Sequence, residues 1–221
     1  ERATRTGSVG GGREAHAVVE LPSGEKAVVR RYRRGGLVRH LNRGLYFGGN
    51  RAFDELRATE RARAGGVRVP TVIAAVERPA WIGYRALLAT LLIPDGRDGA
   101  AWLADAGEEA RLRMLREAGA QVAAMHAAGV AHSDLNLRNL LVAPGEDRVD
   151  AVYVLDFDKA AVGTAPVATA RRTSDLRRLE RSARKLGAPI SAEGWAALRK
   201  GYGPEWPEGL ELGVKVGDAE E

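Results

Sequence analysis

Three side chains near the middle of the chain have the types and the spacing that phosphoryl transfer requires. Asp134 and Asn139 lie in the string H-S-D-L-N-L-R-N, residues 132–139, and Asp156 opens the triplet D-F-D 17 residues after Asn139. A loop carboxylate five residues before an amide can face an acceptor hydroxyl while the amide faces a metal ion. We therefore expect Asp134 to be the catalytic base, and Asn139 and Asp156 to hold Mg²⁺ beside the phosphates of ATP.

Each part of this pattern is common by itself, and the pattern becomes specific only through the sequence context of these residues. An Asp in a polar loop is usually a turn residue, and an Asp that ends a strand often caps a helix. Here the loop follows a long predicted helix, residues 108–128, and two short predicted strands, 140–143 and 149–155, separate it from D-F-D. Asp158 could be a second carboxylate near the metal, although a solvated turn residue is the favoured interpretation.

A glycine cluster near the beginning of the chain predicts a phosphate-binding loop. Gly10, Gly11 and Gly12 are consecutive, and two predicted strands, 15–21 and 27–32, follow them as a hairpin. Glycines allow backbone N–H groups to approach phosphates closely. A plain turn could have the same composition. We predict that these glycines bind the nucleotide because they come directly before the hairpin.

Arg30 and Glu55 are the predicted ion pair of the nucleotide site. Arg30 ends A-V-V-R in the second strand, and Glu55 lies on a predicted helix, residues 51–64. An arginine can contact the α- and β-phosphates and a helix carboxylate bidentately. Glu60 is the second choice for the carboxylate. Arg31 or Lys26 would replace Arg30 if the assumed register is wrong.

The order of the predicted elements indicates an α+β fold. Strands 67–76 and 83–93 follow the first helix, and the chain becomes mainly helical after Pro94, with a further amphipathic helix at 174–186. This order is typical of a protein-kinase-like two-lobe fold. We expect a β-rich lobe with one helix at residues 1–94 and a mostly helical lobe at 95–221.

The charge of the chain is distributed unevenly. Its formal net charge is +5, and residues 26–53 contain no acidic residue, whereas eight residues in that stretch are basic. A solvated basic surface is the simplest interpretation, but such a density suggests an anionic partner. The absence of cysteine excludes disulfides and thiolate metal sites. We expect no membrane-spanning segment, because no run approaches 18 apolar residues.

Several motifs together resemble the lipopolysaccharide kinases of Gram-negative bacteria, the family that includes the 3-deoxy-D-manno-octulosonic acid (Kdo) kinases within the protein-kinase-like superfamily. R-Y-R-R-G-G at residues 31–36 is the most discriminating motif, since ordinary protein kinases lack it. The further motifs are Tyr46, R-A-F-D-E at 51–55, Val69-Pro70, Tyr84-Arg85-Ala86, Ile93-Pro94 and the two strings that contain Asp134 and Asp156.

This resemblance implies an ATP- and Mg²⁺-dependent kinase that phosphorylates a hydroxyl of Kdo on lipid A, at the cytoplasmic face of the inner membrane. It assigns the base to Asp134 and the metal ligands to Asn139 and Asp156. The basic stretch agrees with an anionic glycolipid and with peripheral contact to an anionic leaflet. Within it, we expect Arg33, Arg34 and Arg39 to bind the substrate.

Other functions remain open at the level of sequence. An atypical small kinase could act on a protein, on heptose or on an antibiotic, although aminoglycoside kinases usually present an acidic pocket. The stretch after Asp156 has no A-P-E sequence, which favours a small-molecule or glycolipid acceptor. A kinase-like module without catalysis could bind anionic lipid or RNA through its arginines. We expect no nucleic acid, because few aromatic residues are available for stacking on bases.

Overall fold

The computed structural model describes residues 4–9, 16–32, 50–79, 84–145 and 150–213. The chain divides into two compact units. Unit 1 comprises Glu1–Thr59 and Pro70–Ile93, and unit 2 comprises Glu60–Val69 and Pro94–Glu221. The segment Glu60–Val69 belongs to unit 2, although unit 1 continues after it with Pro70–Ile93. The two units are therefore not separated at a single point in the sequence. The predicted lobes, 1–94 and 95–221, stay a prediction.

Unit 1 is built around a five-stranded antiparallel sheet. Its strands are β1 (Thr4–Val9), β2 (His16–Glu20), β3 (Lys26–Arg31), β4 (Val72–Pro79) and β5 (Tyr84–Leu91), in the order β1-β2-β3-β5-β4. The predicted hairpin is confirmed: Gly24, with φ of 84°, lies in the turn that joins β2 to β3. The predicted strand at 67–76 begins later, because residues 67–71 do not pair in the sheet.

The helix α1 (Arg51–Ala64) has the bounds that its spacing predicts. Its Ala52 is fully buried with Tyr32, Ala86 and Leu88 of the sheet, and Leu56 packs against the same cluster. Small side chains on the helix let it lie close to the strands. The helix therefore holds Glu55, which is one turn from Ala52, against the end of β3.

Unit 2 contains four helices among its described residues besides the end of α1: α2 (Gly99–Asp105), α3 (Glu108–Ala127), α4 (Thr169–Lys185) and α5 (Ala192–Tyr202). The helix predicted at 108–128 is confirmed. The helix predicted at 174–186 begins five residues earlier. Sequence analysis did not predict α2 or α5, although α5 packs along α3 as the main helix pair of the unit.

Two small antiparallel sheets complete unit 2. One pairs β6 (Arg97–Asp98), β8 (Leu140–Pro144) and β9 (Asp150–Val154) in the order β6-β8-β9, and the other pairs β7 (Val130–Ala131) with β10 (Ala161–Val162). The predicted strand pair between the catalytic loop and D-F-D is thereby confirmed, and so is the predicted α+β class. Among the described residues, no helix combines the length and the apolarity needed to cross a bilayer.

Candidate active site

The loop between β7 and β8, residues 132–139, carries the predicted base. Asp134 is exposed, whereas the leucines on either side of Asn136 are fully buried and anchor the loop. Asn136 caps a short 3₁₀ turn, Leu137–Asn139, by accepting hydrogen bonds from two backbone N–H groups of the turn. The loop is thus rigid at its apolar positions and presents the Asp134 carboxylate to solvent.

Two amides hold the backbone of Asp134 in place. The side-chain N–H groups of Asn136 and Asn139 both donate to the Asp134 carbonyl, at 2.8 Å and 2.9 Å. Because the nitrogen of the Asn139 amide is engaged in this way, its oxygen remains the group with which it could contact a cation. This arrangement fits the hard oxygen ligand that Mg²⁺ prefers.

Strand register brings Asn139 and Asp156 together. Leu140 pairs with Val154 in the β8–β9 ladder, and the N–H of Leu155 donates to the Asn139 carbonyl at 2.8 Å. Asp156 follows directly, at the end of β9. The 17-residue separation in sequence therefore becomes a cross-strand neighbourhood, with two oxygen-bearing side chains at one end of a hairpin.

The backbone of Asp156 is left-handed, with φ of 62°. Residues other than glycine rarely adopt this conformation, although Asp and Asn do so more readily than most, and such positions are concentrated at functional sites. Its neighbour Phe157 is buried. The backbone N–H of Asp158 donates to Asp156 Oδ1 at 3.4 Å, so the D-F-D turn orients the first carboxylate.

His132 connects the catalytic loop to this turn. Its Nδ1 accepts a hydrogen bond from the Asp134 N–H at 3.2 Å, so its Nε2 carries the proton donated to the Leu155 carbonyl at 2.9 Å. The ring also packs against Phe157, with 5.4 Å between ring centroids. These contacts give His132 a packing and hydrogen-bonding role in the loop. The ring spans the loop and the strand that precedes Asp156.

Asp175, a residue of α4 that sequence analysis missed, holds the catalytic loop in place. It is fully buried on α4, and its Oδ2 accepts the backbone N–H of His132 at 2.8 Å. His126 Nε2 lies 3.4 Å from the same oxygen, and His126 Nδ1 lies 2.8 Å from the Tyr202 hydroxyl. Burial lowers the pKa of His126, and the neighbouring Asp175 opposes that shift. The available signal was an acidic residue beside Leu176 on the inward face of a predicted helix.

Ser133 also has contacts that its sequence position did not predict. Its hydroxyl donates to the Lys159 carbonyl at 2.6 Å and accepts from Arg171 Nη2 at 3.1 Å. Lys159 is left-handed, with φ of 66°, three residues after Asp156. Ser133 therefore links the catalytic loop to the segment that follows D-F-D and to the start of α4.

In unit 1, Arg30 forms an ion pair with Glu55, as expected for the nucleotide site. The Tyr32 hydroxyl donates to the other oxygen of Glu55, and Arg30 also lies over the Tyr32 ring, 5.2 Å from its centroid. Burial, followed by the charge of Glu55, raises the pKa of Tyr32. Glu60, the second choice, pairs with Arg63 instead. The contact of Arg30 with phosphates stays a prediction.

The remaining predicted site residues are not covered by the structure. Gly10, Gly11 and Gly12 lie outside the described residues, as do the predicted substrate-binding residues Arg33, Arg34 and Arg39. Within the described ranges, no group of three or more His, Cys, Asp or Glu side chains converges on one point. A metal held by Asn139 and Asp156 would take its further ligands from phosphate and water, as Mg²⁺ commonly does.

Comparison with known proteins identifies a family and individual proteins that this chain resembles. The model of the lipopolysaccharide kinase (Kdo/WaaP) family matches residues 7–202. A 3-deoxy-D-manno-octulosonic acid kinase of Actinobacillus succinogenes is 31% identical over 81% of this chain and 76% of its own length. The enzyme of the same name from Xylella fastidiosa is 31% identical over 90% of this chain and 79% of its own length. The solved structure of WaaP in complex with acyl carrier protein covers 90% of this chain and 78% of that chain, with a TM-score of 0.62 and 22% identity, which confirms the kinase-like fold.

Proposed function

Because the chain belongs to the lipopolysaccharide kinase (Kdo/WaaP) family, we propose that it transfers the γ-phosphate of ATP to a hydroxyl of Kdo in Kdo–lipid A. The observation that carries this proposal is the register that places Asn139 beside Leu155 and Asp156, on the loop that also presents Asp134. The acceptor follows from relatives named as Kdo kinases, at 31% identity over most of this chain.

Asp134 is the base in this proposal. Its exposed carboxylate accepts the proton of the acceptor hydroxyl while the hydroxyl oxygen bonds to the γ-phosphorus and ADP leaves. Hydrogen bonds hold the loop at three points. Asn136 and Asn139 donate to the Asp134 carbonyl, His132 accepts from the Asp134 N–H, and Asp175 accepts from the His132 N–H. A base that is positioned in advance reduces the reorganisation needed at the moment of transfer.

Asn139 and Asp156 are the proposed holders of Mg²⁺. The bound ion would neutralise charge on the phosphate oxygens. Asn139 is suited to this role because its amide nitrogen is engaged by the loop, which leaves the oxygen for a cation. Asp156 is suited because the D-F-D turn fixes its carboxylate through the Asp158 N–H.

Arg30 is the proposed contact for the α- and β-phosphates, with Glu55 and Tyr32 as positioning residues. Glu55 is 4% exposed and Tyr32 is 6% exposed, so both partners of the arginine are fixed in a buried setting. Gly10, Gly11 and Gly12 complete the proposed phosphate-binding loop. A guanidinium held by a buried carboxylate has few rotamers to lose when a phosphate binds, which favours affinity.

Arg33, Arg34 and Arg39 are the proposed contacts for the anionic glycolipid. They lie in the acid-free stretch 26–53, and Kdo and lipid A supply a carboxylate and phosphates for them. We propose that the same stretch lies against the anionic cytoplasmic surface of the inner membrane. A basic residue near such a surface contributes on the order of 1 kcal/mol to binding.

A transfer assay tests the proposed function. The protein is incubated with labelled ATP, Mg²⁺ and one of four acceptors: Kdo–lipid A, a heptose-containing core glycolipid, an aminoglycoside or a generic protein. We expect label on Kdo–lipid A, and Asp134→Asn should reduce turnover about 10²–10⁴-fold with nearly unchanged ATP affinity. Label on another acceptor only would replace the proposed substrate. No label on any acceptor would refute transferase activity toward these substrates.

A further inference from the structure

Lys159 is attached to the catalytic loop by its backbone. Its carbonyl accepts a hydrogen bond from the Ser133 hydroxyl at 2.6 Å, and Ser133 directly precedes Asp134 in the chain. The Lys159 side chain is exposed. Because a lysine carries its ammonium group on a long, flexible stem, this charge can reach the space around the Asp134 carboxylate.

The backbone conformation of Lys159 is unfavourable for a lysine. The Ala160 N–H donates to the Phe157 carbonyl at 2.9 Å, so residues 157–160 form a turn, and Lys159 is its third residue, with φ of 66°. Turns with a positive φ at this position favour glycine. Non-glycine residues in this conformation are concentrated at functional sites. The side chain of Lys159 is therefore a candidate for contact with a ligand.

Arg138 is a second exposed cation on the same loop. The Asn136 amide connects it to the base: its oxygen accepts the Arg138 N–H at 2.9 Å, and its nitrogen donates to the Asp134 carbonyl at 2.8 Å. The fully buried Leu137 anchors the turn directly before Arg138. Hydrogen bonds thus tie one cationic residue to Ser133, just before the base, and another to the carbonyl of the base itself.

Neither cation has a counterion in the parts of the chain that the structure describes. No carboxylate there forms an ion pair with Arg138 or Lys159. Water stabilises such exposed cations, and Arg181 and Lys200 are further exposed cations of unit 2. Arg138 and Lys159 differ from these by their position. The acceptor hydroxyl must approach Asp134, so an anionic group on the same sugar comes close to both cations.

We propose that Arg138 and Lys159 determine acceptor specificity by binding a carboxylate on the sugar that receives the phosphate. This inference rests on the proposed function and deepens it, because it names the chemical group of the acceptor that unit 2 recognises. Kdo is a sugar acid, so its reacting hydroxyl and its carboxylate belong to one small unit. A guanidinium can contact a carboxylate through two N–H groups, and an ammonium group suits a single oxygen.

Kinetics and equilibrium binding of Arg138→Gln and Lys159→Gln, separately and together, test this inference. We expect the KM for Kdo–lipid A, and its Kd in an Asp134→Asn background, to rise about 10–100-fold in the double variant, the effect of losing hydrogen bonds between charged groups. The KM for ATP should stay unchanged. The matched control combines Arg181→Gln with Lys200→Gln, which removes the same charge from exposed positions on α4 and α5.

The variant Lys159→Gly separates binding from folding. Glycine adopts left-handed backbone without strain, so the Tm should be no lower than that of the wild type while the affinity for Kdo–lipid A decreases. A lowered Tm with unchanged acceptor KM and Kd would give the lysine a structural role. That result would overturn its assignment to the acceptor.

The methyl ester of the Kdo carboxylate identifies the group that is bound. Wild-type protein should bind esterified Kdo–lipid A about 10–100-fold more weakly, and the double variant should lose nothing further, because the interaction is already absent. With dephosphorylated Kdo–lipid A, the full difference between wild type and double variant should remain. If the difference persists with the ester and disappears with the dephosphorylated acceptor, the cations bind a lipid phosphate and the carboxylate contact is wrong.

Failure of the proposed function would appear differently. A wild-type protein that binds Kdo–lipid A but transfers no phosphate to it would refute the kinase activity, and the binding comparison would still test the two cations. Phosphate transfer with unchanged acceptor constants in every variant would overturn this inference and leave the kinase activity intact. Equal rises in the KM for ATP and for the acceptor would also overturn it, because the cations would then serve the transferred phosphate.

Discussion

Asp156 combines a carboxylate with a left-handed backbone conformation that is unfavourable for most residues. Its left-handed φ of 62° costs an ordinary L-residue on the order of 1 kcal/mol or more. Asp and Asn are the non-glycine residues that adopt this conformation most readily. The conformation turns the chain sharply just after Leu155, whose N–H donates to the Asn139 carbonyl, and the next residue, Phe157, enters the core.

A pair of substitutions at this position should separate charge from backbone geometry. Asp156→Asn keeps a side chain that tolerates left-handed backbone, so we expect a Tm near that of the wild type but loss of Mg²⁺-dependent nucleotide binding. Asp156→Ala should lose both binding and stability. Titration of a fluorescent ADP analogue with and without Mg²⁺ measures the effect. Equal stimulation by Mg²⁺ in wild type and Asp156→Asn would place the metal elsewhere.

The residues that sequence analysis missed share a physical reason. Asp175 and Ser133 act through partners that are 43 and 26 residues away in sequence, His132 and Lys159 respectively. A polar residue on a helix or in a loop has many possible partners, and only the folded chain selects one. Asp134, Asn139 and Asp156 could be singled out from the sequence because their spacing along the chain is itself set by a loop and a hairpin, and their roles stay a prediction.

At the scale of elements, close approach of α3 and α5 depends on glycine. A Cβ built on Gly201 would overlap the carbonyl oxygen of Arg116, and one built on Gly119 would overlap the carbonyl oxygen of Leu198. The two helix backbones therefore nearly touch. This packing orders α3, whose C-terminal end carries His126 next to Asp175 and leads through β7 into the catalytic loop.

We expect Gly201→Ala to destabilise the protein by about 1–3 kcal/mol, because the added methyl group must push two helix backbones apart. The free energy of unfolding, measured by urea denaturation, tests this. Gly163→Ala is the matched control, since a Cβ there would make only ordinary van der Waals contacts. If both variants lose the same stability, contact between α3 and α5 is not the cause.

At the scale of the whole molecule, burial of His126 links stability to pH. Its pKa is lowered from the ordinary value of 6.5, mainly by burial. The unfolded chain therefore binds a proton near pH 6.5 that the folded chain does not bind. It follows that the free energy of unfolding decreases as pH falls below 6.5, until the lowered pKa of the folded state is reached.

The variant His126→Asn should show a weaker dependence on pH in this window than the wild type. Urea denaturation at a series of pH values around and below 6.5 measures both slopes. The slope is the relevant quantity, because the substitution also removes contacts with Tyr202 and Asp175 and will lower stability at every pH. Identical slopes would mean that other groups carry the acid sensitivity.

The net charge of +5 is also a property of the whole molecule, and it suggests a test of the proposed membrane contact. Binding to vesicles that contain anionic phosphatidylglycerol should weaken between about 0.05 M and 0.5 M salt, because salt screens surface charges. Changing both Arg33 and Arg34 to Gln should reduce binding by about 2 kcal/mol. The control changes Arg57 and Arg113, which are 66% and 60% exposed, to Gln. If both double variants lose the same binding free energy, vesicle binding depends on net charge alone and not on Arg33 and Arg34.

The sequence by itself determined the local features of this protein: the hairpin β2–β3, the bounds of α1, the helix α3, the loop that contains Asp134 and Asn139, and the D-F-D turn that begins at Asp156. Each of these features follows from hydrophobic periodicity, from glycines that end helices or form turns, or from spacing within a short stretch. All three can be read from the sequence without knowledge of the fold. Tertiary structure alone decided the pairing of the strands that precede Asp156 and follow Asn139, and the partners of Asp175 and Ser133. These features arise from packing between distant segments, where burial and hydrogen-bond geometry select one partner among many that the sequence allows.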